Sequence, residues 1–464
     1  MKGYGRRARE SGAAVVEYVG VCVVVVALVI AAAVSVSAGA PSIADKFTCA
    51  IMRAIANVAG QAPPTCGDGT ATETTGDSPI SAAVISGPVE DGTSDVTVAV
   101  NVPPGTSWTA SVDTGYAYTT SFGDGPATAT IHLPANPGDD RTTNVTITTS
   151  DGQQVTVPIV QPGGTQNYVA LGDSYSASPG ALIDGEPWYW PFTGGLPYDD
   201  TTGAEDCLRA DGAYPRQLAD GAIASTSGSV PSLSMSSGFY SCTGATWDGG
   251  DGQGGVQAQL QQGAADLANA DIVSLSLGGN DIGFSGTVKA CIFDPDAITF
   301  GSTKCADAIA TANDKIAHEL PDRLTTAYNA ALDAAPNATI YVTGYPPVVA
   351  KDDPVDKFGF VPHDEEVEAS ADLIDNLNDT IKETVDAVNA EREANGEPGR
   401  LVFVPITTMD GHGITTSDPY YVGVTESVLN MPIPRVQDAA YHPDDDGSQA
   451  QGESLAGYML GETP

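Results

Sequence analysis

Four short stretches of this 464-residue sequence bring together a hydroxyl, a glycine amide, a carboxamide and an imidazole. They are Gly172-Asp173-Ser174, Ser241-Cys242-Thr243-Gly244-Ala245-Thr246, Gly279-Asn280-Asp281 and Tyr441-His442-Pro443. A serine hydroxyl becomes a useful nucleophile only when a base within hydrogen-bond reach takes its proton. Imidazole suits that task because it titrates near neutral pH. Acyl transfer also builds an oxyanion, which needs preorganised N–H donors such as backbone amides or a carboxamide. Taken singly, each residue has a plainer use: Ser174 as a strand-end cap, Asn280 as a turn former, His442 as a surface residue beside Pro443. His132, His318, His363 and His412 stand in no comparable motif.

The elements that must position these residues are legible as changes of period. Residues 168–171, 272–277, 340–344 and 402–406 are short apolar runs. Three of them lead straight into Gly172-Asp173-Ser174, Gly278-Gly279-Asn280-Asp281 and Tyr345-Pro346-Pro347. Ala-rich stretches with helical spacing occupy 257–268, 306–335 and 365–395. Buried strands alternating with helices predict an α/β fold, a three-layer α/β/α sandwich over 166–464. Ligands of such sheets sit beyond the carboxyl ends of the strands, where the motifs fall. Upstream, β-branched runs at 96–100, 127–131, 144–148 and 155–160 alternate with turns such as Asn136-Pro137-Gly138 and Asp151-Gly152. They predict a small β-sandwich over 80–163. Residues 67–79, rich in Thr, Gly, Asp and Pro, have no apolar period and end a tether and linker expected over 45–79.

The formal net charge is −40. Such a surface repels nucleic acid and anionic membranes and keeps a protein soluble by self-repulsion, so nucleic acid is excluded as a partner. Asp444-Asp445-Asp446-Gly447 lacks the rest of a calcium loop, and neither metal nor organic cofactor is implied. Residues 1–44 form a basic leader (Lys2, Arg6, Arg7, Arg9) and an apolar run interrupted only by Glu17. That run is long enough to span a bilayer, for which about 20 apolar residues suffice. It reads as a cleaved signal peptide, with small residues from Ser37 to Ala40, or as a membrane anchor with its basic flank inside. Seven cysteines occur; Cys22 lies in the apolar run, and the other six fall into sequence-local pairs with no C-x-x-C. Disulfides in an oxidising compartment are the better reading than zinc.

The four stretches, in this order, resemble the conserved blocks of SGNH (GDSL-type) hydrolases, and the resemblance extends from about residue 168 to the C-terminus. It is nearest to secreted bacterial esterases and lipases with three disulfides. It implies Ser174 as nucleophile and His442 as general base, with the Ser174 N–H, the Gly244 N–H and the Asn280 amide forming the oxyanion hole. It also supports the pairings Cys49–Cys66, Cys207–Cys242 and Cys291–Cys305. The family usually places an Asp three residues before the His, where this chain has Ala439. Asp438 stands one residue earlier and could orient His442 Nδ1, a task that a main-chain carbonyl performs in some of the resembling esterases. Trp188-Tyr189-Trp190-Pro191-Phe192 could line an acyl pocket or pack on the core as a surface loop.

Two further resemblances concern the other segments. Ser11-Gly12-Ala13-Ala14-Val15-Val16-Glu17-Tyr18 resembles the processing site of Flp/Tad-type pilins, with Glu17 and Tyr18 five and six residues past Gly12. Such a terminus would tether the chain to the membrane, and a Glu inside an apolar helix tends to be functional. The run from Trp108 through Asn136 and Arg141 to Gln161 resembles BACON-like domains, which implies either contact with cell-surface carbohydrate or a spacer. The expected function is an extracellular ester hydrolase acting on lipid esters or acylated glycans. The alternative is a pilin-like adhesion protein that uses the hydrolase fold as a binding head. The acidic surface predicts tolerance of salt: ester hydrolysis assayed from low to molar NaCl should persist, and loss of activity would count against that reading.

Overall fold

The computed structural model describes residues 80–86, 88–119, 121–181, 207–249, 254–293, 303–349, 364–414, 416–422 and 441–462. The leader and apolar run, the tether, the Cys49–Cys66 pair, the 188–192 stretch and Asp438 lie outside them. No helix among the described residues is long and apolar enough to cross a membrane.

Residues 80–163 build seven strands: β1 (Ser81–Val84), β2 (Ser94–Asn101), β3 (Ser107–Val112), β4 (Phe122–Asp124), β5 (Ala127–Leu133), β6 (Arg141–Thr149) and β7 (Gln154–Gln161). They pair antiparallel into two sheets, β1-β2-β5 and β4-β3-β6-β7. Alternation explains the pairing faces. Val96, Val98 and Val100 of β2 point inward, as do Ala129, Ile131 and Leu133 of β5, and Val145 and Ile147 of β6. Together with Trp108 they form one apolar cluster shared by both sheets. The intervening Thr and Ser side chains face outward, as period two requires.

A five-stranded parallel sheet follows, in the order β12-β11-β10-β8-β9. Its strands are β8 (Gln166–Gly172), β9 (Leu233–Ser234), β10 (Ile272–Ser276), β11 (Thr339–Thr343) and β12 (Leu401–Val404). β10 and β11 are buried at every position, so their Ser and Thr side chains lie inside with the apolar ones instead of alternating toward solvent. The helices are α1 (Ser174–Ala177), α2 (Tyr214–Ala219), α3 (Val256–Gln262), α4 (Ala264–Leu267), α5 (Gly279–Ile282), α6 (Phe284–Val288), α7 (Lys304–His318), α8 (Leu320–Ala334), α9 (Asp364–Ala394) and α10 (Asp445–Leu460). α7, α8 and α9 pack on one another, with α3 against α8 and α5 and α6 against α7, while α2 packs on α10.

Two stretches expected as continuous helices are divided. The 257–268 stretch breaks at Gly263, which lies against the Tyr240 ring. The 306–335 stretch breaks at Glu319, because Pro321 cannot continue a preceding helix but suits the first turn of a new one. Cys207–Cys242 and Cys291–Cys305 are joined as disulfides, with Cα atoms 4.1 and 4.5 Å apart.

The two-sheet segment is docked on the parallel sheet, at the amino ends of its strands. Asn136, only 1% exposed, is the centre of the seam. Its Nδ2 donates to the carbonyls of Asp139 (2.9 Å) and Pro162 (3.0 Å), and its Oδ1 accepts from the Gly138 N–H. Its own carbonyl accepts from Gly164 N and from the Gln166 amide, where β8 begins. Ser232 N donates to Pro137 O just before β9, and the Tyr118 hydroxyl donates to Gly399 O just before β12. Thr93 meets Thr339, the first residue of β11, at 3.4 Å. Buried polar groups joined this way are costly to disturb. Asn136→Ala should lower unfolding free energy by about 2–3 kcal/mol, read by denaturant titration, because several buried groups lose partners at once.

Candidate active site

The site is assembled at the opposite, carboxyl ends of β8, β10 and β11. β8 ends at Gly172, which pairs with Ser276 at the end of β10. Gly172 has φ +130°, and a Cβ there would stand 2.4 Å from Ser276 Oγ, so only glycine permits this approach. The buried amide of Gln259 on α3 clamps the same residue: Gly172 N donates to Oε1 and Nε2 donates to Gly172 O, both at 2.8 Å.

Asp173 caps α1, its Oδ1 accepting from Tyr175 N at 3.0 Å. Ser174 is therefore the first residue of a one-turn helix, where the backbone N–H has no intrahelical acceptor. The Asp173 carboxyl is 1% exposed. Burial pushes its pKa above the ordinary carboxylate range, opposed by the hydrogen bonds from Tyr345, Ser276 and Tyr175. Ser276 Oγ donates to Asp173 Oδ1 (2.7 Å), and the Tyr345 hydroxyl donates to Oδ2 (2.5 Å). Behind them Ser176 Oγ joins Ser276 and the Tyr214 hydroxyl, each at 2.9 Å.

The Gly244 stretch runs alongside. Cys242 N donates to Gly172 O at 2.9 Å, and Thr243 N donates to Cys207 O, the residue disulfide-bonded to Cys242. Gly244 has φ +79° and faces open space. Asn280, in the first turn of α5, donates through Nδ2 to Ala245 O at 3.1 Å. A carboxamide carries a second N–H on the same nitrogen, so this bond orients the group while leaving a donor. Asp281 Oδ1 accepts from Arg323 (3.2 Å) and from Trp247 N (3.4 Å), tying the turn of α5 to the Gly244 loop. Burial raises the Asp281 carboxyl against those two donors.

His442 lies in a short extended pair: Val422 N donates to His442 O, and Tyr441 N donates to Val422 O. Its ring centroid stands 5.8 Å from that of Tyr175, the neighbour of Ser174. Thus Ser174, the Gly244 loop, Asn280 and His442 are brought to the same carboxyl edge of the parallel sheet. Asp438 lies outside the described residues. His132 instead pairs with Asp95 at 2.6 Å, His318 is exposed, and His412 stacks on Tyr420 at 3.7 Å. Among the described residues no group of three or more His, Cys, Asp or Glu is placed to hold a metal. Sequence patterns did not single out Gln259 or Ser276, and they marked Tyr345 only as a strand end. The one available signal was that Gln259 shares the inward spacing of Val256 and Leu260.

The sequence model of the GDSL-like Lipase/Acylhydrolase family matches residues 170–450. Lipase 1 of Streptomyces coelicolor is 34% identical over 191 residues, 41% of this chain and 56% of that protein. The chain thus spans little more than half of that relative. A lipase of Streptomyces rimosus is 29% identical over 299 residues, 64% of this chain and 87% of its own length. The crystal structure of an extracellular lipase from Streptomyces rimosus aligns at 26% identity with a TM-score of 0.43, covering 64% of this chain and 100% of that one.

Asp444, two residues past His442, caps α10 through Gly447 N at 3.0 Å. Burial, reinforced by Asp446 and Asp445, raises its pKa to about 6, against the Gly447 hydrogen bond. The folded state therefore holds this proton more tightly than the unfolded chain. The group's stabilisation is fully present below the ordinary Asp range and is lost as pH rises through about 6, a change of at most about 3 kcal/mol. Asn also caps helices well, so Asp444→Asn should flatten the dependence of Tm on pH between about 4 and 6. An unchanged slope would show that Asp444 does not titrate there.

Proposed function

Because the chain belongs to the GDSL-like Lipase/Acylhydrolase family, we propose that it is a serine-dependent carboxylic-ester hydrolase working through Ser174 and His442. The observation that carries this reading is that four sequence-distant groups lie at the same carboxyl edge of the parallel sheet, with Ser174 at the start of α1 and the Tyr175 ring beside His442. In the proposed cycle Ser174 Oγ attacks the ester carbonyl while His442 takes its proton. The carbonyl electron pair moves to oxygen, and the N–H groups of Ser174 and Gly244 and the Asn280 amide receive the oxyanion. The C–O bond then breaks, the alcohol leaves with the proton from His442, and an acyl-enzyme remains. Water, deprotonated by His442, attacks that ester; the bond from the acyl carbon to Ser174 Oγ breaks, Oγ regains its proton from His442, and the acid is released. Asp438, or a main-chain carbonyl, would orient His442. If Asp438→Asn lowers the rate no more than a few-fold, the carbonyl does so; a fall near 10⁴ would make Asp438 a third catalytic member.

Lipid esters and acylated glycans are the substrate classes that fit. The basic leader, the long apolar run with Glu17 and Tyr18, and the paired cysteines support a protein outside the cytoplasm. It would be secreted or held at the bacterial surface through a pilin-like N-terminus. The two-sheet segment, BACON-like in sequence, would then form a β-sandwich able to lie against cell-surface carbohydrate. The deciding experiment uses the full disulfide-bonded chain and p-nitrophenyl esters of increasing acyl length. Ser174→Ala should cut kcat by at least about 10³-fold, and Asn280→Ala by about 10²–10³-fold. Wild-type turnover in Ser174→Ala would refute the serine mechanism.

A further inference from the structure

Resting on that esterase reading, we propose that Tyr345 is the positioning residue of the oxyanion hole, its phenol oxygen bolting the nucleophile turn to the Gly279-Asn280 turn. The sheet ladder does not do this. Pairing between β8 and β10 ends at Gly172 and Ser276, whereas Ser174 and Asn280 both lie farther out, on separate turns. Beyond the ladder the Tyr345 hydroxyl spans the gap, donating to Asp173 Oδ2 at 2.5 Å and accepting from Gly279 N at 2.9 Å. One bond fixes the cap of the helix that begins with Ser174. The other fixes the backbone amide immediately before Asn280.

Tyr345 is itself held from three sides. Asn378 on α9 brackets its backbone, accepting from Tyr345 N (2.8 Å) and donating to Tyr345 O (2.9 Å). Its ring meets Tyr175 edge-on, with centroids 5.1 Å apart at 81°, and Tyr175 in turn faces His442. Gly279 presents no side chain to the phenol; a Cβ there would come within 2.9 Å of the ring. The phenol therefore ties two of the three oxyanion donors to α9, a helix of 31 residues. It also has an electrostatic task. When Asp173 is ionised, its charge one residue from Ser174 opposes negative charge on the substrate oxygen, and the hydrogen bond from the Tyr345 hydroxyl spreads that charge.

The test compares the full-length wild type with Ser174→Ala, Tyr345→Phe, Gly279→Ala and Tyr328→Phe. Tyr328 is an equally buried tyrosine whose hydroxyl bonds nothing among the described residues. Each variant is assayed on a p-nitrophenyl ester and titrated with an alkyl trifluoromethyl ketone. Ser174 Oγ adds to that ketone carbon, its proton passing to His442 and the carbonyl pair becoming an oxyanion. Tyr345→Phe and Gly279→Ala should each lower kcat by about 10- to 100-fold, the scale of a small misplacement of catalytic groups. KM should stay within about two-fold, and ketone affinity should fall by the same factor as kcat. Tyr328→Phe should match the wild type. If only one of the two site variants folds, the other still decides. Wild-type kcat in either folded variant, or a kcat loss with unchanged ketone affinity, overturns the assignment while an inactive Ser174→Ala leaves the esterase reading standing. A wild type that neither cleaves the esters nor binds the ketone, or an active Ser174→Ala, overturns both.

Discussion

A carboxylate buried one residue from Ser174 would be untenable without compensation, because a charge removed from water costs several kcal/mol unless paired or hydrogen-bonded. Asp173 meets that constraint with three donors: Ser276 from the end of β10, Tyr345 from just past β11 and Tyr175 N from its own helix. Each donor obliges a further contact. Ser276 must approach so closely that β8 ends in glycine. Tyr345 must be anchored by Asn378, and α1 must start at Ser174. The arrangement of three strand ends follows from satisfying one buried acid, and the groups that would carry out ester chemistry inherit their positions from it.

Satisfaction of this kind also explains which parts were legible in the sequence. Ser174, Gly244, Asn280 and His442 stood out because the chemistry tolerates few residue types and because their four stretches occur together in the order of the SGNH blocks. β10 and β11 stood out as short, mainly apolar runs because both of their faces are buried. Gln259 did not, since Gln253, Gln257, Gln261 and Gln262 surround it and only the fold selects the one that faces Gly172. Ser276, Tyr345 and Asn378 are ordinary residues in sequence; their roles come from contacts across the sheet that no local period records. The division of the 306–335 stretch was written in Pro321, a signal that the Ala-rich helical spacing masked.

The seam between the two-sheet segment and the parallel sheet was likewise hidden. Asn136-Pro137-Gly138 reads as a loop tip, and loop tips are normally exposed. Here the turn is buried, and Asn136 serves both bodies at once: its side chain closes the strand ends of the two-sheet segment and its carbonyl receives the start of β8. The segment is thus built into the fold rather than strung from it, with Ala135 counted in the core of the parallel sheet.

The placement of that seam makes the two-sheet segment a handle. It grips the parallel sheet at the amino ends of the strands, while Ser174, Gly244, Asn280 and His442 cluster at the other. A label, bead or fused partner attached to its outward threonine face would sit beyond the amino ends of the strands whose carboxyl ends carry Ser174 and Asn280. Immobilising the protein through that face would leave the carboxyl ends of β8 and β10, where Ser174 and Asn280 follow, directed away from the attachment.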